Sequence, residues 1–255
     1  MTRRDGAESA GAPFAPVAID AIIFDLDGTL VDSRPGIEAS CAAAFAKEAP
    51  DVDIPSLDGV LGKPLNGLIA TLGADLSSER RAAIQATFTR HYDVEGWRLS
   101  LPYEGVGETL SALRGNGVRL FVATNKRRDP AVRILRAGGL APAVEAVYAV
   151  DSAVPPFVDK VAMAAACLRE HDLVSAATLV VGDSEDDRVM AADHGLSFAA
   201  AAWGYGDAAS RLAEADVASV DYFSETARRP MHTVLASIRD LTSLVIAHVQ
   251  SGRNP

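Results

Sequence analysis

Cysteine is scarce in this chain. Cys41 and Cys167 are the two in 255 residues, and both stand far apart in Ala-rich stretches. That excludes a disulfide framework and a thiolate metal site, and it leaves two small apolar residues for a core. Positive charge is also in deficit, with 24 Lys and Arg against 34 Asp and Glu and a formal net charge of -10. Such a surface disfavours nucleic acid or an anionic membrane as partner. It does not disfavour a small anionic substrate, because a local site can be positive on an acidic protein. No apolar run reaches transmembrane length. Thr2-Arg3-Arg4-Asp5 is followed by no long apolar stretch, so no signal peptide is expected and a reducing cytoplasm is the default. His91, His171, His194 and His232 show no ligand spacing. There are no internal repeats and no sustained heptads.

What is present is a globular composition, 49% hydrophobic and 23% charged, in a length that suits one large domain or a core with an insert. Residues 1–17, rich in Ala, Gly and Pro, read as a loose arm. Strands are predicted from Ile19 to Asp25, Val118 to Ala123, Ala146 to Val150, Thr178 to Val181 and Ser197 to Ala202. Helical patterns alternate with them: Gly105 to Gly115, the stretch up to Ala137, Val161 to Glu170, Asp187 to His194, and a last helix from Met231 to Val249 carrying Leu235, Ile238, Leu241, Leu244 and Val245. This alternation predicts an α/β fold, a Rossmann-like parallel sheet with helices on both faces. Residues 35–100 contain no convincing strand. They read as an inserted all-helical cap, leaving 18–34 and 101–255 as the catalytic core.

The most informative stretch is Phe24 to Ser33, F-D-L-D-G-T-L-V-D-S, directly after the apolar run Ala21-Ile22-Ile23. Side chains at i and i+2 of an extended chain point the same way. Asp25 and Asp27 are therefore expected to converge at the carboxyl end of a buried strand, just before a Gly28 turn. Open α/β sheets bind their ligands at that end. Two carboxylates held close repel, so a cation or a shared proton is their natural partner. Thr124-Asn125, after the second core strand, places a hydroxyl and an amide beside a helix start, which suits either a phosphate oxygen or a simple helix cap. Asp183 ends an apolar strand in Gly182-Asp183-Ser184-Glu185-Asp186-Asp187. Opposite Asp25 and Asp27 it gives a hard, all-oxygen site that suits Mg²⁺. Glu185 and Asp186 read as solvated.

The decapeptide resembles the nucleophile motif of the haloacid dehalogenase-like phosphatases, D-x-D-G-T-L-x-D-S. Thr124 resembles that family's phosphate-binding second motif, and Asn125 accompanies it. Lys160 resembles the third, a lysine that neutralises nucleophile and phosphate. Many members have Lys-Pro there, whereas this chain has Lys160-Val161. Gly182 to Asp187 resembles the acidic fourth motif. The order and the placement of the insert agree over about Ala18 to Asp221. Within the family, Ala202-Trp203-Gly204-Tyr205-Gly206 and Val31 to Gly36 look most like the phosphoglycolate phosphatase branch.

The resemblance implies a Mg²⁺-dependent phosphatase for a small phosphorylated metabolite, with 2-phosphoglycolate favoured. Asp25 would be the nucleophile that forms an aspartyl-phosphate, and Asp27 the general acid and base. Thr124, Asn125 and Lys160 would bind phosphate. Mg²⁺ would be held by Asp25, the backbone carbonyl of Asp27, and Asp183, with Asp187 supporting the shell. Arg34, Lys63 and Lys126 are the residues placed near the substrate's leaving group, although Lys63 equally suits a surface turn. Trp203 and Tyr205 suit packing as well as function. The alternatives are a nucleoside 5'-monophosphatase, a β-phosphoglucomutase-like phosphomutase, and, outside enzymes, a catalytically silent interaction module. No membrane or nucleic-acid partner is expected, and the chain is read as a monomer or homodimer.

Overall fold

The computed structural model describes residues 19–54, 56–214 and 230–251. The arm expected over 1–17 lies outside the described residues. Six strands form one sheet: β1 (Ala21–Phe24), β4 (Arg119–Thr124), β5 (Ala146–Ala149), β6 (Thr178–Gly182), β7 (Ser197–Ala201) and β8 (His232–Leu235), in the order β5-β4-β1-β6-β7-β8. Every pairing in it is parallel. The order reverses on either side of β1, the topological switch point at which Rossmann-like sheets bind ligands.

The central strands β1, β4, β6 and β7 are largely apolar runs because both faces are covered. On one face Ile22, Phe24, Leu120, Val122, Leu179 and Val181 meet α4 (Val106–Gly115), α5 (Arg128–Ala137) and α9 (Ile238–Ser251). The alternate residues Ala21, Ile23, Phe121, Val180 and Phe198 meet α6 (Lys160–Glu170), α7 (Glu185–Asp193) and α8 (Ala208–Glu214) on the other. The two-residue period of each strand thus divides its side chains between two cores. Cys167 lies in the second core and Cys41 in the helical insert. Burial pushes both thiols up to about 12, so both stay protonated.

The insert contains α1 (Arg34–Glu48), α2 (Leu65–Leu72) and α3 (Ser78–Val94). They close over a third core, built from Cys41, Ala44 and Phe45, from Leu68, Ile69 and Leu72, and from Ile84, Phe88 and Tyr92. Pro35 starts α1, where its missing N–H costs nothing. Ser77 caps α3 by accepting from the Arg80 N–H. The two ends of the insert are joined by β2 (Val31–Asp32) and β3 (Leu101–Pro102), an antiparallel pair that hydropathy alone does not reveal at two residues each. Among the described residues no helix is long and apolar enough to cross a membrane.

The helix expected from Met231 to Val249 is a strand followed by a helix. His232 to Leu235 pair with Phe198 to Ala201 of β7, and only at Ile238 does the chain turn helical. Leu235 is buried from the strand, while Ile238, Leu241 and Val245 are buried from α9, so the apolar spacing across the break mimics one continuous face. We predict that Leu241→Ala lowers the unfolding free energy by about 2–5 kcal/mol, the cost of a core truncation. Exposed Ser243→Ala should change it by less than about 0.5 kcal/mol. Urea midpoints for the two variants check the inward face of α9.

Candidate active site

The site forms where β1, β4 and β6 end. Asp25 still belongs to the sheet, since its N–H donates to the Val181 carbonyl at 2.9 Å. The chain then turns sharply. The Leu30 and Val31 N–H groups both donate to the Leu26 carbonyl at 3.0 Å, and Gly28 sits in the left-handed region at φ 87°. A side chain at Gly28 would collide with Asp183, whose Oδ2 would lie 2.1 Å from its Cβ. Glycine is therefore required there for conformation and for space. Trp203 and Tyr205 brace this loop: the Trp203 indole donates to the Thr29 carbonyl at 3.0 Å, and the Tyr205 hydroxyl meets Ser33 Oγ at 2.8 Å.

Lys160 is 3% exposed and lies between two carboxylates, 2.7 Å from Asp25 Oδ1 and 2.8 Å from Asp187 Oδ1. Burial alone would lower its pKa, but Asp187 and Asp25 more than offset this and hold it well above the ordinary lysine value. Burial raises the Asp25 pKa well above the ordinary carboxylate value against the opposing pull of Lys160. Asp183 Oδ2 accepts from the backbone N–H groups of Tyr205 at 3.0 Å and Gly206 at 2.9 Å. Burial and then the charge of Asp187 nonetheless raise Asp183 to about 7.

Carboxylate oxygens of Asp25, Asp183 and Asp187 lie within 4.8 Å of one another, close enough to share a cation. They are not equivalent. Asp187 Oδ1 takes the Lys160 ammonium, and its Oδ2 accepts from Ser184 N–H at 3.1 Å and Ser184 Oγ at 2.5 Å. Asp183 Oδ1, by contrast, is buried with no hydrogen-bond partner. A buried acceptor left open is costly and is what a hard divalent ion would satisfy. The donor set thus fits a hard divalent ion such as Mg²⁺, which Asp183 Oδ1 would help to hold while Asp187 holds Lys160.

The remaining expected residues are placed as follows. Thr124 is buried at the end of β4, and its Oγ1 accepts from the Lys126 N–H at 3.1 Å. Asn125 reaches across to the helical insert, donating to the Gly62 carbonyl at 3.3 Å and to Asp186 at 3.1 Å. Lys126 lies 3.1 Å from Asp27 Oδ1 and donates to the Tyr92 hydroxyl of α3 at 2.8 Å. Arg34 is not turned to the strand ends as a free cation. It pairs with Asp58 at 2.9 Å and Glu38 at 3.6 Å and lies over the Tyr205 ring. Lys63 is exposed in the turn before α2. Of the three substrate candidates, two are therefore already held by acids. Sequence reasoning missed Tyr92, Gly62 and Ser184. The first two are brought in by tertiary contact, but Ser184-x-x-Asp187 has the spacing of a helix-start capping pair and was readable.

The haloacid dehalogenase-like hydrolase family profile matches residues 22–201. The chain belongs to that family. It is 35% identical to the tyrosine-protein kinase PtkA of Mycobacterium tuberculosis over 73% of this chain, and the match spans 63% of that relative's length. It is 33% identical to a phosphoglycolate phosphatase of Cereibacter sphaeroides, over 72% of this chain and 85% of that one. A haloacid dehalogenase-like hydrolase structure from Streptococcus pneumoniae superposes with a TM-score of 0.73 at 23% identity, covering 88% of this chain and 97% of that one. The structural likeness concerns the fold.

A prediction follows from Asp183. In the unfolded chain it ionises near 3.8, and in the folded protein near 7. The folded state therefore holds the extra proton between these values, and stability from this group is lost as pH rises from about 4 to about 7. In chelator, Asp183→Asn removes the buried charge. It should melt with wild type below pH 4 and be more stable above pH 7 by at least about 1.4 kcal/mol, the equivalent of one pKa unit. Thermal melts across that range measure the difference.

Proposed function

We propose that this chain is a Mg²⁺-dependent phosphatase for small phosphomonoesters, with 2-phosphoglycolate as its preferred substrate. The observation that carries the reading is the convergence of Asp25, Asp183 and Asp187 around a buried Lys160 at adjacent strand ends, with Asp27 two residues beyond Asp25. The relatives named phosphoglycolate phosphatase support the substrate.

Asp25 attacks phosphorus, the bond to the leaving alkoxide breaks, and an aspartyl-phosphate remains. Asp27 gives its proton to the departing alkoxide. It then accepts a proton from the water that hydrolyses the acyl phosphate. Lys160 offsets the charge that Asp25 and the phosphoryl oxygens bring together, and the Thr124 hydroxyl binds one of those oxygens. Asp25, the Asp27 carbonyl and Asp183 would hold Mg²⁺. When bound, the ion supplies further neutralisation of the transferring phosphoryl group. The helical insert acts as a lid that excludes water and selects the leaving group.

The 35% identical relative named a tyrosine-protein kinase favours a second reading, phosphoryl transfer to a protein tyrosine. An assay that follows labelled phosphate separates the two. Release as inorganic phosphate from a phosphomonoester panel supports the phosphatase, and label appearing on tyrosine of a peptide supports the kinase.

Under the phosphatase reading, Asp25→Asn abolishes phosphate release and Asp27→Asn lowers turnover by about a hundredfold. Chelation stops turnover, Mg²⁺ restores it, and Ca²⁺ restores it poorly because it tolerates looser geometry. Full activity in excess chelator would remove the metal from the reading. Phosphoglycolate should show a higher kcat/KM than nucleoside monophosphates or hexose phosphates. Lys63→Ala should raise KM for phosphoglycolate more than for an uncharged aryl phosphate. A preference for nucleotides would overturn the phosphoglycolate assignment and leave the phosphatase chemistry standing.

A further inference from the structure

Lys126 joins three separate pieces of chain. It is carried by the loop between β4 and α5, its ammonium lies 3.1 Å from the Asp27 carboxylate, and its side chain is 9% exposed. The same ammonium donates to the Tyr92 hydroxyl at 2.8 Å and lies 4.5 Å from the centre of the Tyr92 ring. Tyr92 belongs to α3 of the insert, and Asp27 to the turn after β1. The neighbouring residues hold the same boundary. Asn125 donates to the Gly62 carbonyl, Arg127 pairs with Asp93 one residue beyond Tyr92, and Arg133 donates to the Asp93 carbonyl at 3.2 Å.

We propose that Lys126 is a positioning residue, which ties the Asp27 carboxylate to Tyr92 so that Asp27 is fixed for proton transfer only while the insert is shut over the strand ends. This role rests on the phosphatase reading. Asp25 is locked by a ladder hydrogen bond and by Lys160. Asp27 lies past the ladder, and the ion pair with Lys126 is what restrains its carboxylate. The ammonium donates a hydrogen bond to the Tyr92 hydroxyl and faces Asp27 Oδ1 as an ion pair without an aligned hydrogen bond, so Tyr92 is the contact that sets where its charge sits. When α3 withdraws, Lys126 loses its hydroxyl and ring contacts, and the Asp27 carboxylate is free to turn. A displacement of about 1 Å in a reacting group can cost a hundredfold in rate, so proton delivery becomes conditional on closure. The proton leaves Asp27 with the alkoxide as the P–O bond to it breaks, and a proton returns to Asp27 from water as the P–O bond to Asp25 breaks.

The test uses kcat/KM, which for this two-step reaction reports the steps up to the aspartyl-phosphate. p-Nitrophenyl phosphate has a leaving group that needs little protonation, whereas 2-phosphoglycolate and the carboxylate-free ethyl phosphate have ones that need it fully. A loss shared by the two alkyl esters therefore reports proton delivery, and a loss confined to phosphoglycolate reports a contact to its carboxylate and overturns the role. Lys126→Met should lower kcat/KM for both alkyl esters by about a hundredfold, and for p-nitrophenyl phosphate by less than about threefold. Tyr92→Phe keeps the packed ring and removes only the hydroxyl. It should show the same selectivity with a smaller loss, and Lys126→Arg should restore part of the Lys126→Met loss. Tyr92→Phe combined with Lys126→Met should fall no further than Lys126→Met alone, because both break one connection. Equal losses on the alkyl esters and on p-nitrophenyl phosphate, or additive losses in the double variant, would overturn the positioning role while wild-type turnover kept the phosphatase reading. A wild-type protein that hydrolyses none of the three esters would overturn both.

Discussion

One ammonium group between two carboxylates, in a place closed to water, is the constraint on which the site is built. Lys160 satisfies Asp25 and Asp187 together, and each of the three is at most about one-twentieth exposed. Buried charges persist only where they are paired, and here the pairing is incomplete, because Asp183 brings a third carboxylate into the same space. The surplus negative charge has two outlets, a proton or a cation. The raised pKa values of Asp25 and Asp183 record the first, and the unpartnered Asp183 Oδ1 provides for the second.

The fold delivers this arrangement through strand ends. β1 lies between β4 and β6, so residues leaving the three strands meet at one edge although they are about 100 and 60 residues apart in sequence. Lys160 comes from the opposite direction, at the first turn of α6. Asp159 caps that helix by accepting from the Ala162 N–H, which fixes where the lysine emerges.

The five strands read from hydropathy were legible because a strand buried on both faces is an unbroken apolar run. The site at their ends was legible because a carboxylate following such a run cannot avoid burial. β8 was not legible: it is an edge strand with two polar residues in four, and its Leu235 fell into register with the face of α9. Partner choice across the molecule was equally hidden. Ser33 and Tyr205 meet across 172 positions, and nothing near Arg34 in sequence announces Asp58 as its counter-ion. Two of the three cations expected at the substrate, Arg34 and Lys126, pair with acids, since spacing indicates that a charge is near a site and not which group has claimed it. Ser184 and Asp187 are the opposite case, a local pair whose spacing was sufficient.

The small antiparallel pair β2 and β3 has a consequence for how the chain reaches its native order. β1 cannot complete its sheet until β4 arrives beside it, Ala21 pairing with Arg119 at 98 residues' separation. Closing a loop of that length is an entropic cost that falls by about 0.6 kcal/mol for each halving of the loop. Val31 pairs with Pro102, and Asp32 with Leu101, so the insert leaves and rejoins the core through a neck two residues wide. Once α1, α2 and α3 have collapsed over their own core, the distance still to be closed between β1 and β4 is the short span on either side of that neck. The insert can therefore vary in length and content during evolution with little penalty to folding speed, provided the neck is kept.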